Sequence, residues 1–79
     1  MADYKIGTVV SVYPTTSKMA VDLVGDVHLG DKLKINNQKF LVTVLKDDYR
    51  KVEEAKRGST IIMNMDFCIT IGDEIITSS

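Results

Sequence analysis

The sequence predicts an all-β chain rolled into a small barrel, and three observations carry that expectation. Short runs rich in Val, Ile and Thr are cut by turn residues at roughly 8–12-residue intervals, the rhythm of a sandwich or barrel. Few segments repeat their apolar residues at the 3.6-residue period of an amphipathic helix. The chain is also short, at 79 residues. An open sheet of that size would leave apolar edges such as residues 40–45 free to aggregate, so closure into a barrel is favoured over a flat sheet.

Residues 6–13, dense in β-branched side chains, form the first expected strand. It ends at Pro14, the one proline, which fixes its own φ and removes a ladder donor; Thr15 and Thr16 then supply the turn. Residues 19–24 follow as a strand with Met19, Val21 and Leu23 on one face. Gly25-Asp26 and Gly30-Asp31 bracket residues 27–29, a stretch too short for a helix that reads as a tight connector. Residues 32–35 alternate strictly, with Lys32 and Lys34 outward and Leu33 and Ile35 inward. Asn36-Asn37 tolerates positive φ and reverses the chain. Residues 40–45 return as a strand apolar on both faces, as one buried on both sides would be.

Residues 47–59 concentrate charge and hold only Val52 and Ala55 as aliphatic residues. They admit a short helix, with Asp47 or Asp48 as N-cap, Glu53 facing Arg57 and Gly58 closing the C-terminus. They equally admit a long excursion between strands. Residues 60–65 and 74–77 are the last strands, joined through Phe67, Cys68, Ile69 and Gly72-Asp73. One pattern occurs twice. Residues 27–33 and 69–75 both read apolar, any, apolar, Gly-Asp, charged, apolar. The glycine adopts a conformation closed to other residues, the aspartate bonds nearby N–H groups, and the next apolar residue turns inward.

The order of these motifs resembles two families. Residues 6–12, the Val27-x-Leu29-Gly30-Asp31-x-Leu33-x-Ile35 segment, Val52-x-x-Ala55-x-x-Gly58 and Ile71-Gly72-Asp73-x-Ile75 are similar to the second domain of translational GTPases such as elongation factor Tu. Stand-alone archaeal translation elongation factor-like proteins share that pattern. The start, residues 7–13, also resembles the barrel at the C-terminus of collagenase-like peptidases, with one residue inserted in a Gly-x-Val-x-x-Tyr opening. The likeness spans about residues 5–77. It implies a six-stranded Greek-key β-barrel of the translation-factor domain 2 type. It does not imply GTP hydrolysis, which belongs to another domain of those enzymes.

Composition bounds what the chain does. Its length allows one domain over residues 1–79. A hydrophobic share of 44% with 27% charged residues is that of a folded globular chain, not a disordered one. The net charge of −1 gives no global basic field. One cysteine excludes an internal disulfide and a Cys-based zinc site, and suits a reducing compartment. No apolar run reaches membrane-spanning or signal-peptide length. The expectation is a cytoplasmic protein without membrane attachment.

No residue set reads as catalytic, metal-binding or cofactor-binding. Residues 25–32 are the nearest approach to a phosphate loop, but Asp31 stands where a Walker lysine is required, so no nucleotide site is expected. His28 has no second imidazole or thiolate at ligand spacing and reads as an exposed turn residue. Cys68, between Phe67 and Ile69, reads as a buried thiol. Asp22, Asp26 and Asp31 match no calcium loop. Met63 and Met65 read as core by their i,i+2 spacing.

The candidate binding surface lies between Lys46 and Arg57. Arg50, Lys51, Lys56 and Arg57 supply positive charge and Tyr49 an aromatic face for stacking on a base; Lys32 and Lys34 extend that surface if the fold brings them near. Against this, Asp47, Asp48, Glu53 and Glu54 oppose the charge. The main reading is a non-catalytic binding module that contacts RNA or a ribonucleoprotein through these residues. The alternative is a protein-interaction or substrate-positioning accessory domain, as the peptidase resemblance implies.

Overall fold

The computed structural model describes residues 4–77, and every regular element in that range is a strand. The ten strands are β1 (Lys5–Tyr13), β2 (Lys18–Leu23), β3 (Val27–His28), β4 (Lys32–Ile35), β5 (Gln38–Leu41), β6 (Leu45–Asp47), β7 (Arg50–Lys51), β8 (Glu54–Ala55), β9 (Thr60–Asn64) and β10 (Glu74–Thr77). Eight form one sheet in the order β5-β4-β10-β1-β2-β9-β6-β7, and β3 pairs with β8 in a second.

Chain connectivity forces the large sheet to roll up. Six strand spacings separate β5 from β6, so a flat sheet would hold them about 29 Å apart. The backbone from Leu41 to Leu45 reaches about 15 Å at most. The sheet therefore curls, and residues 42–44 close it like a strap. Two register shifts in β1, at Lys5/Gly7 against β10 and at Val9/Ser11 against β2, bend that strand into the curve.

The two Gly-Asp segments are built alike. Gly30 has φ 89° and Gly72 φ 99°, both in the left-handed region. Asp31 Oδ2 accepts the His28 N–H at 2.8 Å, and Asp73 Oδ2 accepts the Thr70 N–H at 2.9 Å. Each segment then grips one buried valine. The Gly30 N–H donates to the Val42 carbonyl while the Val42 N–H donates to that of Asp31; Gly72 and Asp73 treat Val9 in the same way, all four bonds at 2.8–2.9 Å. The strands that follow, β4 and β10, pair antiparallel with Ile35 opposite Ile75 and Lys34 opposite Ile76. The two units, β4 with β5 and β10 with β1, are thus related by an approximate twofold axis through the Lys34–Ile76 pair.

Six of the expected strands are recognisable: β1, β2, β4, β9, β10 and the run 40–45. That last run departs from expectation, because it is not one strand buried on both sides. Leu41 is 43% exposed and Thr43 is exposed, and the ladder breaks between β5 and β6. The break is held by Asn64, the one buried polar residue among those described. Its Oδ1 accepts the N–H groups of Thr43 and Val44 at 2.9 and 3.3 Å, and its Nδ2 donates to the Leu41 carbonyl at 3.0 Å and to Asp66 Oδ1 at 2.9 Å. A side-chain amide thus replaces a missing strand for the strap.

The remaining additions are β3, β7 and β8. Residues 27–29 are not merely a connector: Val27 pairs with Ala55, and both are buried. Residues 47–58 contain no helix; they form a hairpin extension followed by β8. The buried cluster includes Met19, Val21, Leu23, Ile35, Ile61, Met63 and Ile75, with Met65 and Phe67 packed against it. Phe67 meets Phe40 edge-on, with ring centroids 6.1 Å apart. Cys68 is exposed, contrary to the buried reading. The irregular segment 65–71 turns Phe67 and Ile69 inward, which leaves the side chain between them outside.

Candidate functional site

The hairpin of β6 and β7 places the first three candidate residues. Lys46 pairs with Lys51 and Asp47 with Arg50, so the loop is the two residues Asp48 and Tyr49. Both have positive φ, 52° and 67°, as a type I′ turn requires at its two central positions. Tyr49 is thrown clear of the barrel at 96% exposure, and Arg50 and Lys51 are exposed on β7, the last strand of the large sheet.

Lys56 and Arg57 lie elsewhere. They follow β8 of the second sheet, in a turn tied to the start of the chain's middle section: the Arg57 N–H donates to Asp26 Oδ1 at 3.0 Å and the Gly58 N–H to the Leu23 carbonyl at 2.9 Å. The five candidates are therefore split between the hairpin and this turn. Among the described residues, the side chains of Arg50, Lys51, Lys56 and Arg57 make no ion pair or hydrogen bond. The acidic residues beside them in sequence do not pair with them; Glu54 turns instead to His28, its Oε2 3.0 Å from Nε2.

Tyr49 belongs to a groove that the sequence reading did not assemble. It is lined by Tyr13, Thr16, Lys18, Lys46, Asp48, Tyr49 and Ile62 and encloses about 470 Å³. Four strands build it. Tyr13 and Lys18 are cross-strand partners at the end of the β1–β2 hairpin, and Ile62 of β9 pairs with Lys46 of β6. Tyr13 is 45% exposed and Ile62 half-buried, so two phenol rings and an aliphatic side chain share the groove with two ammonium groups. Lys18 Nζ makes only a long contact of 3.4 Å to the Thr16 carbonyl, and Lys46 has no partner among the described residues. The missed residues had one legible sign: Tyr13 and Lys18 flank a turn, where hairpin pairing sets them opposite each other.

Elsewhere the side chains arrange less. His28 sits on β3 between Glu54 and Asp31, whose Oδ2 is 3.9 Å from Nδ1, and stays open to solvent. Among the described residues, no group of three or more His, Cys, Asp or Glu side chains is placed to hold a metal ion. No helix in that range is long and apolar enough to cross a membrane.

With this geometry in view, the fold has a solved counterpart. The chain is similar to the C-terminal domain of a Geobacillus thermoleovorans putative U32 peptidase, known from a crystal structure of its selenomethionine variant. The TM-score is 0.84 at 13% sequence identity, over 90% of this chain and 95% of that domain. At that identity the likeness establishes the fold, a small β-barrel. No family model and no curated protein matches the sequence. The counterpart supports the resemblance to the barrel carried by collagenase-like peptidases. The resemblance to the elongation-factor domain stands as an expectation from the sequence.

Proposed function

We propose that this chain is a non-catalytic accessory barrel that holds a partner protein, or that protein's substrate, in position. The observation that carries the reading is the fold likeness over nearly the whole length of both chains to a domain appended to a putative peptidase. The surface offers such a partner an organised feature, a groove on the outer face of the sheet. The lone thiol suits a cytoplasmic setting, which is part of the proposal.

A second reading, contact with RNA or a ribonucleoprotein, keeps one supporting observation: four basic side chains without carboxylate partners and a fully exposed Tyr49 on one stretch of chain. One experiment separates the two. Affinity-tagged chain is cross-linked in extract from its source cells, with and without ribonuclease, and the bound species are weighed. The accessory reading predicts a stoichiometric protein partner that survives nuclease. Recovery of RNA, with loss of all protein on nuclease treatment, would give the chain to the second reading.

A further inference from the structure

Tyr49 carries two burdens that nothing within the chain repays. Its φ of 67° is unfavourable for a bulky L-residue, and glycine would complete the same type I′ turn more easily. Its side chain, 96% exposed, gains no packing in return. Backbone strain of this kind clusters at ligand-binding positions, and here a bulky aromatic carries it without packing in return. Across the groove stands Tyr13, with Ile62 between them and Lys18 and Lys46 alongside.

The charge pattern selects among occupants. Only Lys18 and Lys46 bring positive charge to the groove, Asp48 lies in its wall, and the whole chain carries −1. A polyanion would find two phosphate contacts here, and the neighbouring Arg50 and Lys51 are interleaved with Asp47 and Asp48, so the field along this face is mixed and not uniformly positive. A segment with one or two carboxylates next to an apolar side chain matches the site without needing a uniform field. The position of the groove also favours a peptide. A second depression, lined by Asp47, Asp48, Arg50, Lys51 and Val52, shares Asp48 with it and runs beside β7. That strand is the outermost of its sheet, so the N–H and C=O of Lys51, which face away from β6, offer one donor and one acceptor to an extended chain.

We propose that the groove between Tyr13 and Tyr49 binds an extended acidic peptide segment of the partner protein. An aromatic or large aliphatic side chain packs between the two tyrosines over Ile62, and a neighbouring carboxylate meets Lys18 and Lys46. This rests on the accessory-domain reading and gives it a docking site.

The test uses the full chain against a phage-displayed library of random dodecapeptides. The selected peptides should carry Asp or Glu within three residues of an aromatic or large aliphatic residue. A synthetic copy of the leading sequence should shift the amide signals of Tyr13, Lys18, Lys46, Tyr49 and Ile62 in the 15N-labelled protein. Tyr49→Gly is the informative variant, because glycine suits the turn and the protein should melt no lower than the parent. It should bind at least tenfold more weakly, and Lys46→Glu should do the same. Selection without acidic enrichment, no selection at all, or equal binding by Tyr49→Gly would each overturn the proposal. So would oligouridine or oligoadenine dodecamers that move these signals when the peptides do not. A nuclease-resistant partner that binds Tyr49→Gly as tightly as the parent would remove the groove yet leave the accessory reading standing.

Discussion

Replacing Asn64 should unfasten the strap that closes the barrel. Asn64→Ala removes three bonds to backbone: those from the N–H groups of Thr43 and Val44, and the one to the Leu41 carbonyl. The fourth bond, to Asp66, is side chain to side chain and is lost as well. A typical intramolecular hydrogen bond contributes about 1 kcal/mol net, and a buried group left unsatisfied costs about 1–3 kcal/mol. Thr43 is exposed and Val44 half-buried, so water repays part of the loss and the lower figure applies. Asp66 is exposed and its bond is replaced by water, so the three backbone bonds sum to about 3 kcal/mol, which lowers the melting temperature of a domain this size by about 12–24 °C, at roughly 4–8 °C per kcal/mol. Asn64→Leu keeps the bulk and should lose as much, since the strap depends on the amide and not on volume. Asn64→Asp keeps an acceptor oxygen for the Thr43 and Val44 N–H groups but sets a carboxylate oxygen against Asp66 and the Leu41 carbonyl, so it should not restore stability. Urea unfolding followed by far-ultraviolet circular dichroism measures all three. A loss below about 0.5 kcal/mol for Asn64→Ala, the ordinary range of a neutral surface change, would refute the reasoning.

Gly72→Val and Gly30→Val should each cost more than about 1 kcal/mol through backbone strain alone, because no atom lies within 4 Å of the added Cβ; unchanged melting temperatures would show that positive φ is not needed there. Gly7→Ala fails for the opposite reason. Its Cβ would meet the Asp22 carbonyl oxygen and Val21 Cγ1 at 2.7 Å, so overpacking between β1 and β2 should cost about 1–3 kcal/mol, read by the same urea titration. Replacing Arg50, Lys51, Lys56 and Arg57 together by Ser should leave stability within about 0.5 kcal/mol, since none of the four makes an ion pair. A larger loss in that variant would mean these side chains support the fold.

Much of the fold was legible because local chemistry dictates it. Asn36 and Asn37 take φ of 51° and 67°, as a hairpin reversal by those residues requires, and the repeated Gly-Asp pattern marks two turns of the same construction. What escaped the sequence depends on partners distant along the chain. Asn64 reads in sequence as an outward polar residue of a strand; its role appears only when the strap passes over it. Two-residue strands such as β3 and β8 have no periodicity to detect, and they exist because Val27 and Ala55 bury each other's neighbourhood. Cys68 reads as buried from the small apolar character of a free thiol, yet Phe67 and Ile69 on either side take the inward places and leave it exposed. Tyr49, Arg50 and Lys51 belong to the β6–β7 hairpin and Lys56 and Arg57 to the turn after β8, a division that the run of charge in the sequence does not mark. The groove needed the register of four strands, and that register is set by the Val9/Ser11 bulge of β1 against β2 and by the pairing of β9 with β2 and with β6.

The most direct test of the binding account is a residue-resolved footprint. The nuclease-resistant partner is added to 15N-labelled chain, and amide shifts and hydrogen-exchange protection are mapped at full occupancy. The account predicts that the largest changes fall on Tyr13, Lys18, Lys46, Tyr49 and Ile62 and continue onto Arg50 and Lys51 of β7. A footprint centred on Gly30 and Gly72, or on Lys56 and Arg57 with the hairpin untouched, would contradict it.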